Sequence, residues 1–80
     1  MELDWKKHIH SDPNVLLGKP VIIGTRLSVE FIVSLYAKEW DEKMILENYP
    51  SLTKKDLKAI FYYLQECLSQ ELYFPIKKAV

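Results

Sequence analysis

Residues 18–32 read GKPVIIGTRLSVEFI, and within them the apolar pattern changes its period. Val21-Ile22-Ile23 is a β-branched run bounded by Gly18 and Gly24, which suits a short strand between two bends. After Thr25-Arg26 the spacing becomes helical. Leu27 precedes the capping residue Ser28, and Ile32 follows four positions after the cap, the arrangement of a hydrophobic staple. A strand that hands over to a capped helix within fifteen residues makes the chain mainly α with a small β element.

The same stretch invites a phosphate-binding reading and fails it. A P-loop needs G-x-x-x-x-G-K-[ST], so that backbone amides, a lysine and a hydroxyl surround phosphate and metal. Here Lys19 follows the first glycine, not the second, and Pro20 replaces the hydroxyl residue and removes an amide donor. Gly18, Lys19, Pro20, Gly24, Thr25 and Arg26 therefore read as a structural motif. Thr25 and Arg26, the chain's sole arginine, are left for a further role. Arg26 either ties the β element to the helices through a carboxylate or carbonyl, the favoured reading, or reaches a phosphate.

Upstream, His8-Ile9-His10 is a candidate strand and Ser11-Asp12-Pro13-Asn14 a turn, so Ile9 should pair antiparallel with the region of Val21 to Ile23. Downstream, two more helix starts repeat the staple: Trp40-Asp41 with Ile45, and Leu52-Thr53 with Leu57. Thr53 with Asp56 approximates a capping box. Val29, Ile32, Val33 and Tyr36 should form the inner face of helix one. Ile45, Leu46 and Tyr49 should line helix two, and Leu57, Ile60, Phe61, Leu64 and Leu68 helix three. Helix three should reach about Gln70, because Pro75 bars it from continuing far beyond Tyr73.

The expected organisation is one domain: a β element over 8–27, a three-helix bundle over 28–71 and an apolar tail over 72–80. Eighty residues bury only a little over about 60% of the unfolded surface, which leaves little room for a substrate cavity. Apolar residues make up 49% and charged residues 28%, as in an ordinary globular chain. Cys67 has no partner for an internal disulfide, and no apolar run approaches the roughly 18 residues of a membrane span, so the expected location is cytoplasmic.

Eleven basic residues balance eleven acidic ones, which argues against nucleic-acid binding by bulk charge alone. The distribution is uneven: +1 over residues 1–28, −3 over 29–52 and +2 over 53–80. Any anionic partner should prefer the third segment. There, opposite the apolar stripe of helix three, Lys55, Lys58, Tyr62, Gln65 and Ser69 recur at helical spacing, with Lys54 beside them. Lysines in a first turn oppose the helix dipole at a cost of a few tenths to about 1 kcal/mol, and a phosphate backbone would supply a reason for them. Thr53, Lys54, Lys55 and Lys58 stand where the recognition helix of a helix-turn-helix places its contacts. The turn Tyr49-Pro50-Ser51-Leu52 has a proline and no glycine, which makes it a variant of that motif.

His8, His10 and Asp12 alternate and would share a face on a strand, but with no further histidine and one distant cysteine they do not make a convincing metal site. No nucleophile with its base is identifiable, so no catalytic residue and no cofactor is expected. In the tail, Leu72, Tyr73, Phe74 and Ile76 either fold back on the bundle or cover a partner.

Taken together, N-V-L-L-G-K-P-V-I-I-G-T-R-L-S-V and the later Y-P-S-L-T-K-K-D-L resemble the small prokaryotic proteins grouped as domain of unknown function 433. Their pattern is D-P-x-x-x-x-G-K-P-x-x-x-G-T-R with a later P-x-L-T and a capped helix. The matching positions are Asp12, Pro13, Gly18, Lys19, Pro20, Gly24, Thr25 and Arg26, then Pro50, Leu52 and Thr53. The resemblance implies a homeodomain-like or winged-helix-like helix-turn-helix with a short amino-terminal β-hairpin. It also implies an antitoxin role beside a PIN-like nuclease. Members commonly carry a glycine between the first two helices, where Lys38-Glu39-Trp40 stands here, and a basic residue where Ile23 precedes G-T-R.

The resulting expectation is a non-catalytic antitoxin or small regulator. It would be a homodimer that binds operator DNA through Thr53, Lys54, Lys55, Lys58 and Tyr62, with Arg26, and a nuclease partner through the tail. The alternative is a protein interaction module that never touches DNA.

Overall fold

The structure, a computed structural model, describes residues 3–70. The tail positions Leu72, Tyr73, Phe74 and Ile76 lie outside them. Two short strands, β1 (Ile9–His10) and β2 (Val21–Ile22), precede three helices, α1 (Val29–Ala37), α2 (Glu42–Asn48) and α3 (Lys54–Ser69). The chain is thus mainly α with a small β element. A single 3₁₀ turn, Trp5–Lys7, leads into β1.

β1 and β2 pair antiparallel, with Ile9 opposite Ile22 and His10 opposite Val21, within the Val21 to Ile23 region expected to face Ile9. β2 also bonds on its other edge to the chain entering α1. The Ile22 amide donates to the Leu27 carbonyl at 3.0 Å, and the Val29 amide donates to the Pro20 carbonyl at 2.9 Å. Pro20 lacks a donor but keeps its acceptor, so it can sit in this ladder. The turn between the two halves is closed by the Thr25 amide on the Ile22 carbonyl at 3.0 Å. Its third residue, Gly24, has φ 85°, a conformation that a type II turn demands and glycine adopts without strain.

Each helix starts where the staples place it. Ser28 Oγ accepts from the Phe31 amide at 2.9 Å, Asp41 Oδ1 from the Met44 amide at 2.8 Å, and Thr53 Oγ1 from the Asp56 amide at 3.1 Å. The residues four positions after the caps, Ile32, Ile45 and Leu57, are all in the core. With Ile9, Ile22, Leu35, Leu52 and Ile60 they form one apolar cluster that joins both strands to all three helices.

The termination of α1 differs from expectation. Glu39, with φ 69°, takes the left-handed position that a glycine would normally fill. The Glu39 amide donates to the Tyr36 carbonyl at 2.9 Å and the Trp40 amide to the Leu35 carbonyl at 3.0 Å. That is the bond pattern of a Schellman motif, so the cap forms without its glycine and carries the strain of a side chain at positive φ. Glu39→Gly is therefore expected to stabilise the fold by about 0.5–1 kcal/mol, seen as a higher urea midpoint at unchanged slope.

The core of α3 is also narrower than its sequence stripe. Leu57, Ala59 and Ile60 are buried, but Phe61 is 52% and Leu68 57% exposed. Helix α1 has nine residues against sixteen in α3, too few to cover the far turns. On another side, Trp5 meets Tyr63 edge to face at 4.9 Å, so the amino-terminal turn packs on α3 there. The Leu16–Gly18 turn shows a further departure. Leu16 and Leu17 have φ 49° and 58°, and Leu17 is 95% exposed.

Candidate nucleic-acid interface

The α2–α3 connection buries Leu52 and closes with the Leu52 amide on the Tyr49 carbonyl at 3.0 Å. Pinned by Leu52, the chain enters α3 through a complete capping box. Asp56 Oδ2 accepts from the Thr53 amide at 2.9 Å while Thr53 Oγ1 takes the Asp56 amide. The other Asp56 oxygen, Oδ1, meets His8 Nδ1 at 2.8 Å. One carboxylate thus satisfies the helix start and clamps it to the residue preceding β1. His8 is engaged there rather than in the strand-face cluster with His10 and Asp12. Among the described residues no three metal-ligating side chains are grouped.

On this fixed start, Lys54, Lys55 and Lys58 project from the first two turns and are exposed. Lys54 Nζ stands 4.0 Å from Glu42 Oε1 at the start of α2, a long and solvated pair of small energy. That contact answers part of the dipole penalty at Lys54. Among the described residues, Lys55 and Lys58 have no ion-pair partner. The surrounding field is mixed: Asp41, Glu42 and Glu47 line a groove of about 590 Å³ with Lys43, Leu46 and Lys54. Burial lifts the Tyr36 phenol above its ordinary value, and the nearby Glu42 carboxylate adds to the rise.

Tyr62 is half-buried and lies further along α3, lining another groove of about 590 Å³ with Trp5, Lys6, Gln65 and Ser69. Its face is contiguous with that of Lys55 and Lys58 along the helix. Tyr63, on the packed side, has its phenol raised by burial and then by the Cys67 thiol beside it.

Arg26 is exposed and makes no hydrogen bond or ion pair to any described residue. The favoured expectation, a tie from Arg26 to the bundle, is therefore not what the structure shows. Thr25 holds the turn locally instead: its Oγ1 donates to the Ile22 carbonyl at 2.8 Å and accepts from the Leu27 amide at 3.0 Å. A hydroxyl that both donates and accepts can lock a tight turn that a long guanidinium would overreach. Lys19, in the same motif, pairs with Glu30 across the surface at 2.9 Å.

What the sequence did not reveal is the contact of Asp56 with His8 and the place of Glu42. Asp56 carried a readable signal as the third residue of the capping box, but its bond to His8 spans 48 positions. Such a pairing has no local signature. Glu42 could have been paired with Lys54 only once the packing of α2 beside α3 was known.

No curated protein matches the chain. The crystal structure of a DUF433 member protein from Anabaena variabilis ATCC 29413 is similar, with 34% identity and a TM-score of 0.71. The match covers 78% of this chain and 61% of that one, so the chain spans less than two thirds of that relative's length. Residues 9–63 match the family described as "Protein of unknown function (DUF433)", a segment that runs from β1 through the capped start of α3 and takes in both the G-T-R turn and the P-x-L-T entry. On that match the chain belongs to the DUF433 family.

Proposed function

We propose that this protein is a non-catalytic, cytoplasmic regulator of the antitoxin kind. It binds operator DNA as a homodimer through the first turns of α3 and holds a PIN-like nuclease through residues 72–80. The observation that carries the DNA half is the pair Lys55 and Lys58: both are exposed, with no carboxylate in ion-pair reach among the described residues, on a helix start held by a capping box and by His8. A rigid helix end is already ordered in its backbone and fixes where its ammonium groups can reach, and a recognition helix contacts DNA through its amino-terminal residues.

Acidic groups on α2 and zero net charge make one copy a weak binder, so two copies are needed to add contacts over half-sites about 34 Å apart. No helix among the described residues is long and apolar enough to cross a membrane. With Lys54, Lys55 and Lys58 changed together to alanine, affinity for the protein's own promoter duplex should drop by about tenfold or more at low salt. An unchanged affinity would remove the DNA half. The nuclease half is read by copurification with the product of the neighbouring reading frame, and a partner that fails to copurify would remove it.

A second reading, an interaction module without DNA, is favoured by one observation: the exposed Phe61 and Leu68 on α3. It predicts no promoter binding by the unaltered protein.

A further inference from the structure

Arg26 stands on a turn that the protein makes rigid without using the arginine side chain. Residues 23–26 form the loop between β2 and the chain entering α1, closed where the Ile22 amide meets the Leu27 carbonyl at 3.0 Å. Inside it the Thr25 amide and Oγ1 both donate to the Ile22 carbonyl, and Oγ1 also takes the Leu27 amide. Gly24 supplies the positive φ that the turn needs. The exposed Arg26 side chain enters none of these bonds. It therefore keeps five N–H donors in a planar fork free for a group from outside, and the backbone that carries them is already ordered.

The same loop sits at the end of the β element where α3 begins. The Ile23 amide donates to the His8 carbonyl at 2.8 Å, and the His8 ring meets Asp56 in the first turn of α3 at 2.8 Å. One histidine thus joins the loop to the helix start that carries Lys54, Lys55 and Lys58. Arg26 faces Ile23 across the loop, on the far side of β2 from His8. Two strand spacings of about 4.8 Å put its backbone about 10 Å from that of His8. The major groove is about 12 Å wide. A loop set that far to the side of a helix in the groove meets the sugar–phosphate strand bordering it, not the base edges.

From this placement we infer that Arg26 makes a second DNA contact, outside α3, in which its guanidinium holds a phosphate of the strand that borders the groove. A guanidinium can bond two phosphate oxygens at once, which fixes direction as well as distance. Such a contact reads no sequence. Together with the His8 link it sets the angle and depth at which α3 enters the groove. The inference rests on the proposed DNA reading and adds to it an element that α3 does not contain.

Anisotropy titrations of the promoter duplex at several salt concentrations, with the full chain and its Arg26→Ala and Arg26→Lys variants, test it. Both variants should keep the urea midpoint of the unaltered chain, because the side chain bonds nothing within the described residues; a lowered midpoint would mean a structural role and overturn the inference. Arg26→Ala should weaken binding by about threefold to tenfold and reduce the salt slope by about 0.9 for each bound copy. Arg26→Lys keeps the charge and loses the fork, so it should restore the slope and only part of the affinity. Unchanged affinity and slope in Arg26→Ala, while the three-lysine variant loses both, would overturn the inference and leave the α3 reading standing. An unaltered protein that does not bind its promoter would remove both. An Arg26→Ala chain that binds DNA normally but no longer copurifies with the product of the neighbouring reading frame would put the guanidinium on a carboxylate of that partner, which also overturns the inference.

Discussion

Ile22→Ala is expected to lower the unfolding free energy by about 2–4 kcal/mol, the largest effect of any single substitution considered for this chain. Ile22 is 0% exposed and joins the cluster that contains Ile32, Ile45 and Ile60. Removing three carbons there loses their transfer energy and leaves a cavity, because both edges of β2 are held by backbone bonds and the strand cannot collapse inward. Small domains hold only about 5–15 kcal/mol in total. The loss should appear as a large fall in the urea midpoint with unchanged slope. A cost below about 1 kcal/mol would mean that the β element is an appendage on the bundle and not part of its core.

Asp56→Ala is expected to cost about 2–3 kcal/mol, more than an ordinary cap substitution of about 1 kcal/mol. Besides removing the side chain that closes the capping box, it strands His8, whose ring nitrogen lies 2.8 Å from Oδ1. The pair is mostly shielded, with side chains 21% and 14% exposed, so its loss is only partly offset by water. A double-mutant cycle with His8→Ala separates the two roles. A coupling of about 0.5–2 kcal/mol between positions 8 and 56 is expected. Strict additivity would show that the contact contributes nothing and that the cost is the cap alone.

The contrast between those two sites explains what the sequence could reveal. Helix starts are local events, written within four residues by Ser28, Asp41 and Thr53 and the apolar residues that follow each, so all three were readable. The antiparallel pairing of Ile9 with the Val21 to Ile23 region was readable from the apolar runs, but the register, Ile9 opposite Ile22, was not, because Val21 and Ile22 are both apolar and both buried. The end of α1 was not, because the left-handed residue there is Glu39 and the bonds that hold it are backbone bonds. The exposure of Phe61 and Leu68 depends on where α1 stops, which α3 does not encode. Leu16 and Leu17, adjacent at positive φ, follow no composition rule for such positions.

For the candidate site, the lysines were legible as helix positions, and the exposed placement of Lys54, Lys55 and Lys58 agrees with that reading. Their energetic setting was not legible. Glu42 beside Lys54 and the clamp from His8 to Asp56 both arise from packing between elements distant in sequence. Arg26 shows the limit of arguing from residue type, because a guanidinium invites an ion pair whereas the neighbouring hydroxyl of Thr25 makes the bonds that hold the turn.

The central claim, that α3 meets nucleic acid through its first turns, is tested most directly by the salt dependence of binding. Fluorescence anisotropy of a labelled promoter duplex, titrated at several salt concentrations, gives the slope of log affinity against log salt. Each phosphate contact adds about 0.9 to its magnitude. Changing Lys54, Lys55 and Lys58 to alanine is expected to flatten the slope by about 3 for each bound copy. A variant with the same affinity and the same slope as the unaltered protein would contradict it.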